Sequence, residues 1–282
     1  HKDGRNTAYG ACLVTSGPGG TNTVTGAAGA WQDATPVLFV SGQVKRADLA
    51  GKQGIRQFGM QEIDILSIVK PITKYAVQIQ EPSDIRYELE KGAALAVQGK
   101  PGPVWIDVPL DIQASMVEEG DLRGYEGWGE VERRLRADGR EEPLTGAGPE
   151  PACREEDITE TIRYFNRSER PLLLLGHGIR KAGAVEEARK LYEYLGIPVV
   201  TSWNGVDLIE DGHPLFYGRP GAIGHRSANF IQQNADFVLT IGSRLNLLST
   251  GYNYESFLEK AVHVMVEIDA GEMEKKSVHP KL

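Results

Sequence analysis

Ser16-Gly17-Pro18-Gly19-Gly20-Thr21-Asn22 follows a short apolar run, Ala11-Cys12-Leu13-Val14, and precedes a small-residue helical stretch from Val24 to Trp31. Strand, glycine-rich turn and helix in that order bring backbone N–H groups and a helix N-terminus beside a bound ligand. Gly19 and Gly20 remove the side chains that would hold a ligand off the main chain. Pro18 sets one φ angle in the turn, and Thr21 or Asn22 is placed to cap the helix. Glycine-rich turns of this kind also serve as plain connections in many α/β folds.

The surrounding pattern supports an α/β architecture. Leu13-Val14, Val37-Leu38-Phe39-Val40 and Val104-Trp105-Ile106-Asp107-Val108 are short and continuous, as strands buried on both faces should be. Between them, Ile85, Leu89, Ala93 and Val97 fall four apart on one side of a helix, with Ser83 or Asp84 at its cap. From about Ser115 to Asp157 apolar residues thin out among Glu118-Glu119, Asp121, Glu126, Glu130-Val131-Glu132, Glu141-Glu142 and Pro149-Glu150-Pro151. That segment reads as a solvated linker with one short helix.

A second unit begins near Ile158. Pro171 to Leu175 reads as a buried strand ending in Gly176-His177-Gly178, and Ala184 to Leu195 as an amphipathic helix. A strand Ile197 to Val200, a glycine turn Gly218 to Gly224 leading into a helix through Ile231, and strands Phe237 to Ile241 and His263 to Ile268 complete it. The expectation is two doubly wound parallel α/β domains, residues 1–114 and 158–282, joined by a linker over 115–157.

Composition narrows the function classes. The chain has 282 residues, 40% hydrophobic and 25% charged, which suits a soluble globular protein of two domains. No apolar stretch approaches the roughly 20 residues of a membrane-spanning helix. A net charge of −8 argues against nucleic acid as a partner, since phosphate binding needs a basic surface. Cys12 and Cys153 make no disulfide framework and suggest a reduced, cytoplasmic setting. The six histidines show no metal-ligand spacing, so no metal site is expected within these residues. Starting at His1 and reaching the glycine turn almost at once, the chain reads as a piece of a longer protein.

The stretch from Gly10 through Gln43 resembles the pyrimidine-binding domain of thiamine-diphosphate enzymes of the acetolactate synthase type. So does Gly99-Lys100-Pro101-Gly102-Pro103-Val104-Trp105-Ile106-Asp107-Val108-Pro109. The resemblance implies a thiamine-diphosphate- and magnesium-dependent carbon–carbon lyase or ligase working on a 2-keto acid, assembled as a homodimer or homotetramer. The glutamate that serves the pyrimidine would lie upstream, and the diphosphate and metal would be held by a third domain downstream. The piece alone would then be inactive.

Residue by residue, the resemblance places Gly17, Pro18 and Asn22 on the loop that packs on the pyrimidine, with Asn22 either a hydrogen-bond partner or a plain helix cap. Gln43 is expected at a strand end, as a cofactor contact or a turn residue. Met60-Gln61-Glu62 matches a phenylalanine-glutamine-glutamate segment whose glutamine approaches the bound intermediate, which makes Gln61 the catalytic candidate. Met60 departs from the usual aromatic residue, and its pliable thioether would reshape the pocket. Leu110 stands where a lysine is general, and Leu248 where an arginine holds the acceptor's carboxylate. An aliphatic side chain cannot make that two-pronged ionic contact, so an altered acceptor site is expected.

In the second unit, Gly176, Gly178, Thr201, Ser202, Gly218, Gly221, Gly242, Arg244 and Glu267 match turns that touch FAD in related enzymes. Glycines at strand ends serve tight turns equally well, and Arg244 could brace a domain interface. Two competing classes are a non-catalytic nucleotide-binding or regulatory module with the same fold, and an FAD-dependent oxidoreductase. No motif here places a reactive flavin against a substrate.

Overall fold

Strands that run parallel must be joined by crossovers, and the helix-and-strand alternation of this sequence supplies them twice. A computed structural model describes residues 9–51, 54–127, 129 and 153–282. The chain divides into two compact units, His1–Gly148 and Pro149–Leu282. The first contains β1 (Gly10–Val14), α1 (Pro18–Asn22), α2 (Val24–Gln32), β2 (Val37–Gln43), α3 (Ile65–Val69), β3 (Tyr75–Gln78), α4 (Ile85–Val97), β4 (Pro103–Pro109) and α5 (Leu110–Gln113). Its four strands are parallel in the order β1-β2-β4-β3. Every residue of β4 is buried. Trp105 stacks on Phe39 at 4.9 Å on one face of the sheet, with Ala27, Ile65 and Val69. Ile106, Val108, Ile79 and Ile112 form a second apolar cluster.

The second unit runs α6 (Glu155–Arg167), β5 (Pro171–Leu175), α7 (Gly178–Lys181), α8 (Val185–Leu195), β6 (Val199–Thr201), α9 (Arg226–Asn234), β7 (Phe237–Ile241), α10 (Leu247–Thr250), β8 (Val262–Val266) and α11 (Ala270–Met273). Its parallel order, β6-β5-β7-β8, winds outward both ways from β5 and β7. The all-leucine run of β5 explains this centre. Leu172 and Leu174 join one core cluster, Leu173 and Leu175 another, so both sides of the strand are covered.

Several local expectations need correction. Among the described residues β1 pairs with a strand on one side only, and it is not buried on both faces: Leu13 is 82% exposed. The glycine-rich bend is itself a helical turn, α1, with Pro18 in its first turn and Gly17 as the N-cap. Neither Thr21 nor Asn22 caps a helix; the Thr21 hydroxyl donates back to the Gly17 carbonyl at 3.2 Å. Asp84 does precede α4, but its side chain makes no capping bond. Ile197 and Pro198 fall outside β6, and β8 ends at Val266.

The first part of the expected linker is largely exposed but is held against α4 at two residues. Arg123 lies 4.0 Å above the ring of Tyr87 in α4, and Tyr125 packs edge-on against that ring at 5.7 Å. The Tyr125 N–H donates to the Glu90 carboxylate at 2.7 Å. Aromatic and cationic residues within the acidic run thus dock it on α4. Glu130-Val131-Glu132, Glu141-Glu142 and Pro149-Glu150-Pro151 lie outside the described residues.

Candidate functional site

The carboxyl ends of β1, β2 and β4 border an open cleft of about 780 Å³, a size suited to a small-molecule ligand. β1 and the turn after it contribute Leu13, Val14, Thr15 and Ser16; β2 and its extension contribute Val40 through Lys45, and Asp48. Val108, Leu110 and Gln113 come from the β4–α5 junction, and Gly59, Met60 and Gln61 from a loop that crosses the opening. The lining mixes apolar residues, Val14, Val40, Val44 and Val108 among them, with polar ones such as Ser41, Gln43 and Gln113.

Behind the cleft wall, two segments distant in sequence meet. Gly17 is buried, and a β-carbon there would stand 2.5 Å from the Gln61 carbonyl oxygen. Gln61 occupies the left-handed region at φ 61°. It is the third residue of the turn Gly59–Glu62, closed by a Glu62 N–H to Gly59 carbonyl bond of 3.2 Å. Glu62 then turns its carboxylate back onto the loop, accepting the N–H groups of Ala50, of Phe58 at 2.9 Å and of Gly59 at 3.1 Å.

The floor is built on Asp107, 1% exposed in β4. Its Oδ1 accepts the Ser41 hydroxyl at 2.6 Å, and its Oδ2 accepts Nε2 of Gln78 at 2.9 Å and of Gln43 at 3.2 Å. Trp105 Nε1 donates to Ser41 Oγ at 2.8 Å. Burial pushes the Asp107 carboxyl up, and the donors from Gln78, Ser41 and Gln43 offset part of that. Beside the rim, Arg46 Nε pairs with Asp111 Oδ2 at 2.7 Å, and the Arg46 side chain also donates to the Gln80 carbonyl. This ties the end of β2 to α5 and to the segment after β3.

The structure brings Gln61, Met60, Leu110 and Gln43 to one cleft. Met60 is 82% exposed and Leu110 about half exposed. Gln43 is a full member of β2, and its amide is engaged inward. Nε2 also donates to the Ile63 carbonyl at 2.9 Å, and Oε1 accepts the Val44 N–H at 3.0 Å. Gly17 backs the wall, whereas Pro18 and Asn22 are exposed on α1 and do not line the cleft. Leu248 lies in the second unit, on α10.

Beyond a charged residue inside the apolar run of β4, the sequence shows no sign of the hydrogen-bond hubs at Glu62 and Asp107, or of Lys45 and Asp48 as cleft lining. Among the described residues, no group of three His, Cys, Asp or Glu is placed to hold a metal ion.

In the second unit, the glycine turns pack chiefly on one another. A β-carbon on Gly176 would stand 2.1 Å from the Gly242 carbonyl oxygen, and one on Gly178 2.8 Å from the Gly242 α-carbon. These contacts seal the ends of β5 and β7. Gly221, at φ 132°, lies against the Leu248 carbonyl, which accepts the Ala222 N–H at 2.8 Å. Gly218 is pressed against His225. The Arg244 carbonyl accepts Lys275 Nζ, and Glu267 Oε1 accepts the Ile268 N–H at 3.0 Å. Ser202 donates its N–H to the Leu175 carbonyl at 2.9 Å. Thr201 Oγ1 is buried at the end of β6 with no hydrogen-bond partner among the described residues. His177 Nδ1 and Arg219 Nε, beside the same turns, are likewise buried without a partner among the described residues.

Two family models match the chain. One describes the N-terminal TPP binding domain of thiamine pyrophosphate enzymes and covers residues 4–68; the other describes their central domain and covers residues 158–281. The chain is 34% identical over 266 residues to a probable acetolactate synthase large subunit of Methanocaldococcus jannaschii, covering 94% of this chain and 42% of that protein. It is 33% identical over 271 residues to the acetolactate synthase large subunit of Corynebacterium glutamicum, covering 94% of this chain and 39% of that one. With the isozyme 1 large subunit of Escherichia coli it shares 31% over 264 residues, 94% of this chain and 42% of that protein. The chain thus spans about two fifths of the length of these relatives.

Proposed function

This chain belongs to the thiamine pyrophosphate enzymes, acetolactate synthase-like, and from that premise we propose that it forms the pyrimidine side and central domain of a carbon–carbon lyase or ligase acting on a 2-keto acid. The observation that carries the reading is the cleft at the ends of β1, β2 and β4, with Gln61 on its rim and Gly17 close-packed behind. Its apolar walls, Val14, Val40, Val44 and Val108, fit a flat heteroaromatic ring. When bound, thiamine diphosphate supplies an acidic thiazolium carbon that can add to a keto carbonyl and take up electrons as carbon dioxide leaves.

The chain's own residues have positioning roles in this reading. Thr15 and Ser16 bring the main chain after β1 to the cleft and Gly17 backs its wall, while Pro18 and Asn22, off the cleft, shape the turn of α1 that follows. Gln61 reaches the reacting carbon, and Met60 shapes the acceptor side. Gln43, held by Asp107, stiffens the floor. Leu110 and Leu248 each supply no charge where the resemblance implies a lysine and an arginine, which supports the reading of an altered acceptor site. Magnesium and the diphosphate are assigned to residues beyond this sequence. We further assign a homodimer or homotetramer and a cytoplasmic setting; among the described residues no helix is long and apolar enough to cross a membrane. FAD is carried as a proposal for the second unit, supported by Thr201 Oγ1, while the glycines there are accounted for by packing.

The test is to express the full-length protein with thiamine diphosphate and magnesium and assay decarboxylation of a panel of 2-keto acids. Turnover of at least one, with cofactor uptake seen by calorimetry, is the expected result. Cofactor uptake without any turnover would remove the lyase assignment, and no uptake would remove the cofactor. Yellow colour with a flavin absorbance would establish FAD.

A further inference from the structure

We infer that Glu62 is a positioning residue: by gathering the main-chain N–H groups of Ala50, Phe58 and Gly59 on its carboxylate, it sets the left-handed corner that carries Gln61 to the cleft. The consequence for catalysis rests on the proposed function; the clamp itself does not.

Among the described residues between Ala50 and Glu62, little else holds the loop. Its large apolar residues face solvent, with Ile55, Phe58 and Met60 all exposed, so burial does not fix its path. Loops without an apolar anchor keep one conformation only when their backbone groups are satisfied. Glu62 does this for both ends at once. Oε1 takes the Ala50 N–H where the loop begins, and Oε2 takes those of Phe58 and Gly59 where it returns. Gln57 Nε2 adds a bond to the Gly59 carbonyl at 3.0 Å.

That return sets the turn in which Gln61 sits. Glycine or asparagine is preferred where the third turn residue takes positive φ, and a glutamine there persists only if its surroundings hold it. Three constraints do so. Gly17 leaves room for the Gln61 carbonyl. Gly59 lies against Val44, where a β-carbon would approach to 2.8 Å. Glu62 anchors the next residue. Partial burial alone would raise the Glu62 carboxyl, but the N–H groups of Phe58, Ala50 and Gly59 together bring it below the usual range. The carboxylate therefore stays charged, and accepting, across the neutral range. Once released, Gln61 is free to leave the left-handed region, which redirects its side chain away from the position it now holds.

Two variants of the full-length protein test this. Glu62→Gln keeps the size but turns one acceptor into a donor; Glu62→Asp keeps the charge on a shorter arm. Hydrogen exchange of peptides spanning residues 48–62 should quicken at least about tenfold in Glu62→Gln, while the β4 peptide stays unchanged. Turnover of the 2-keto acid identified above should fall at least about tenfold in kcat, with the thermal midpoint nearly unmoved and partial recovery in Glu62→Asp. Unchanged exchange, or unchanged kcat despite fast exchange, overturns the inference. A loss of kcat that merely tracks the fraction unfolded does so too. If wild-type protein turns over no keto acid, the proposed function is lost and exchange alone decides the clamp. Should Glu62→Gln not fold, wild-type exchange decides: Phe58 and Gly59 must be at least about tenfold more protected than Gly54 and Ile55.

Discussion

The Gln61 carbonyl oxygen lies 2.5 Å from where a β-carbon on Gly17 would stand, and both residues hold the same left-handed φ of 61°. At Gly17 the conformation is easy and the space is compulsory. At Gln61 the conformation is strained, and the residue lines the cleft. Each residue makes the other's geometry necessary, across 44 positions of sequence (61 minus 17).

Gly17→Ala tests the close approach. The added methyl meets main chain, which cannot swing aside, and it meets it at a φ that alanine resists. Strain and displacement together should cost about 1–3 kcal/mol of stability. The change should also weaken thiamine diphosphate binding at least about tenfold. Calorimetry and thermal unfolding check both; an alanine variant with wild-type affinity would show that the contact is idle.

Gln61→Gly and Gln61→Ala separate backbone from side chain. Both delete the amide, so both should lose turnover to a similar degree. The glycine variant should be the more stable of the two by about 1 kcal/mol, because it relaxes the left-handed corner. Urea midpoints read the difference, and equal midpoints would mean that the corner carries no strain.

Asp107→Asn tests the polar floor. The carboxylate receives donors from Ser41, Gln43 and Gln78, and an amide turns a donor toward at least one of them. One buried donor left without an acceptor should cost about 1–3 kcal/mol. Denaturant titration measures this, and turnover should fall as Gln43 loosens. A neutral substitution would show that the network gives no net stability.

His263 should make the second unit acid-sensitive. Burial lowers its pKa from 6.5 to about 4, and its Nε2 lies 3.0 Å from Thr240 Oγ1. The folded ring stays neutral while the unfolded one takes up a proton first, so stability is full above pH 6.5 and is lost as the pH falls toward 4. By pH 4.5 the loss attributable to this residue is about 2–3 kcal/mol. His263→Gln cannot titrate in that range. Urea midpoints between pH 7.5 and 4.5 should therefore fall more steeply for wild type than for the variant, and parallel curves would refute the assignment.

Some elements were legible because their physics is local. Pro171 to Leu175 and Val104 to Val108 read as strands since a parallel strand covered on both faces is a near-continuous apolar run, broken in β4 only by Asp107. Gly196, just past α8, takes the left-handed cap that ends a helix. The exposure of Leu13 was not legible, because Ala11 to Val14 carries the letters of a buried strand and only its neighbours among the described residues tell otherwise. Nor was α1: two glycines argue against helix, yet Gly20 is needed where a β-carbon would meet Ile65 at 3.3 Å. Glu62 was readable as part of a motif, but not as a clamp.

Period and turn chemistry, which act over a few neighbours, determined two parallel α/β units, and the resemblance to thiamine-diphosphate enzymes pointed to the candidate cleft residues Gln61, Met60 and Leu110. Tertiary structure decided which groups meet: Gly17 with Gln61, Glu62 with Ala50, Asp107 with Ser41, Gln43 and Gln78. Those pairings depend on strand order and loop closure, which bring together atoms separated by tens of residues and leave no periodic trace in the chain.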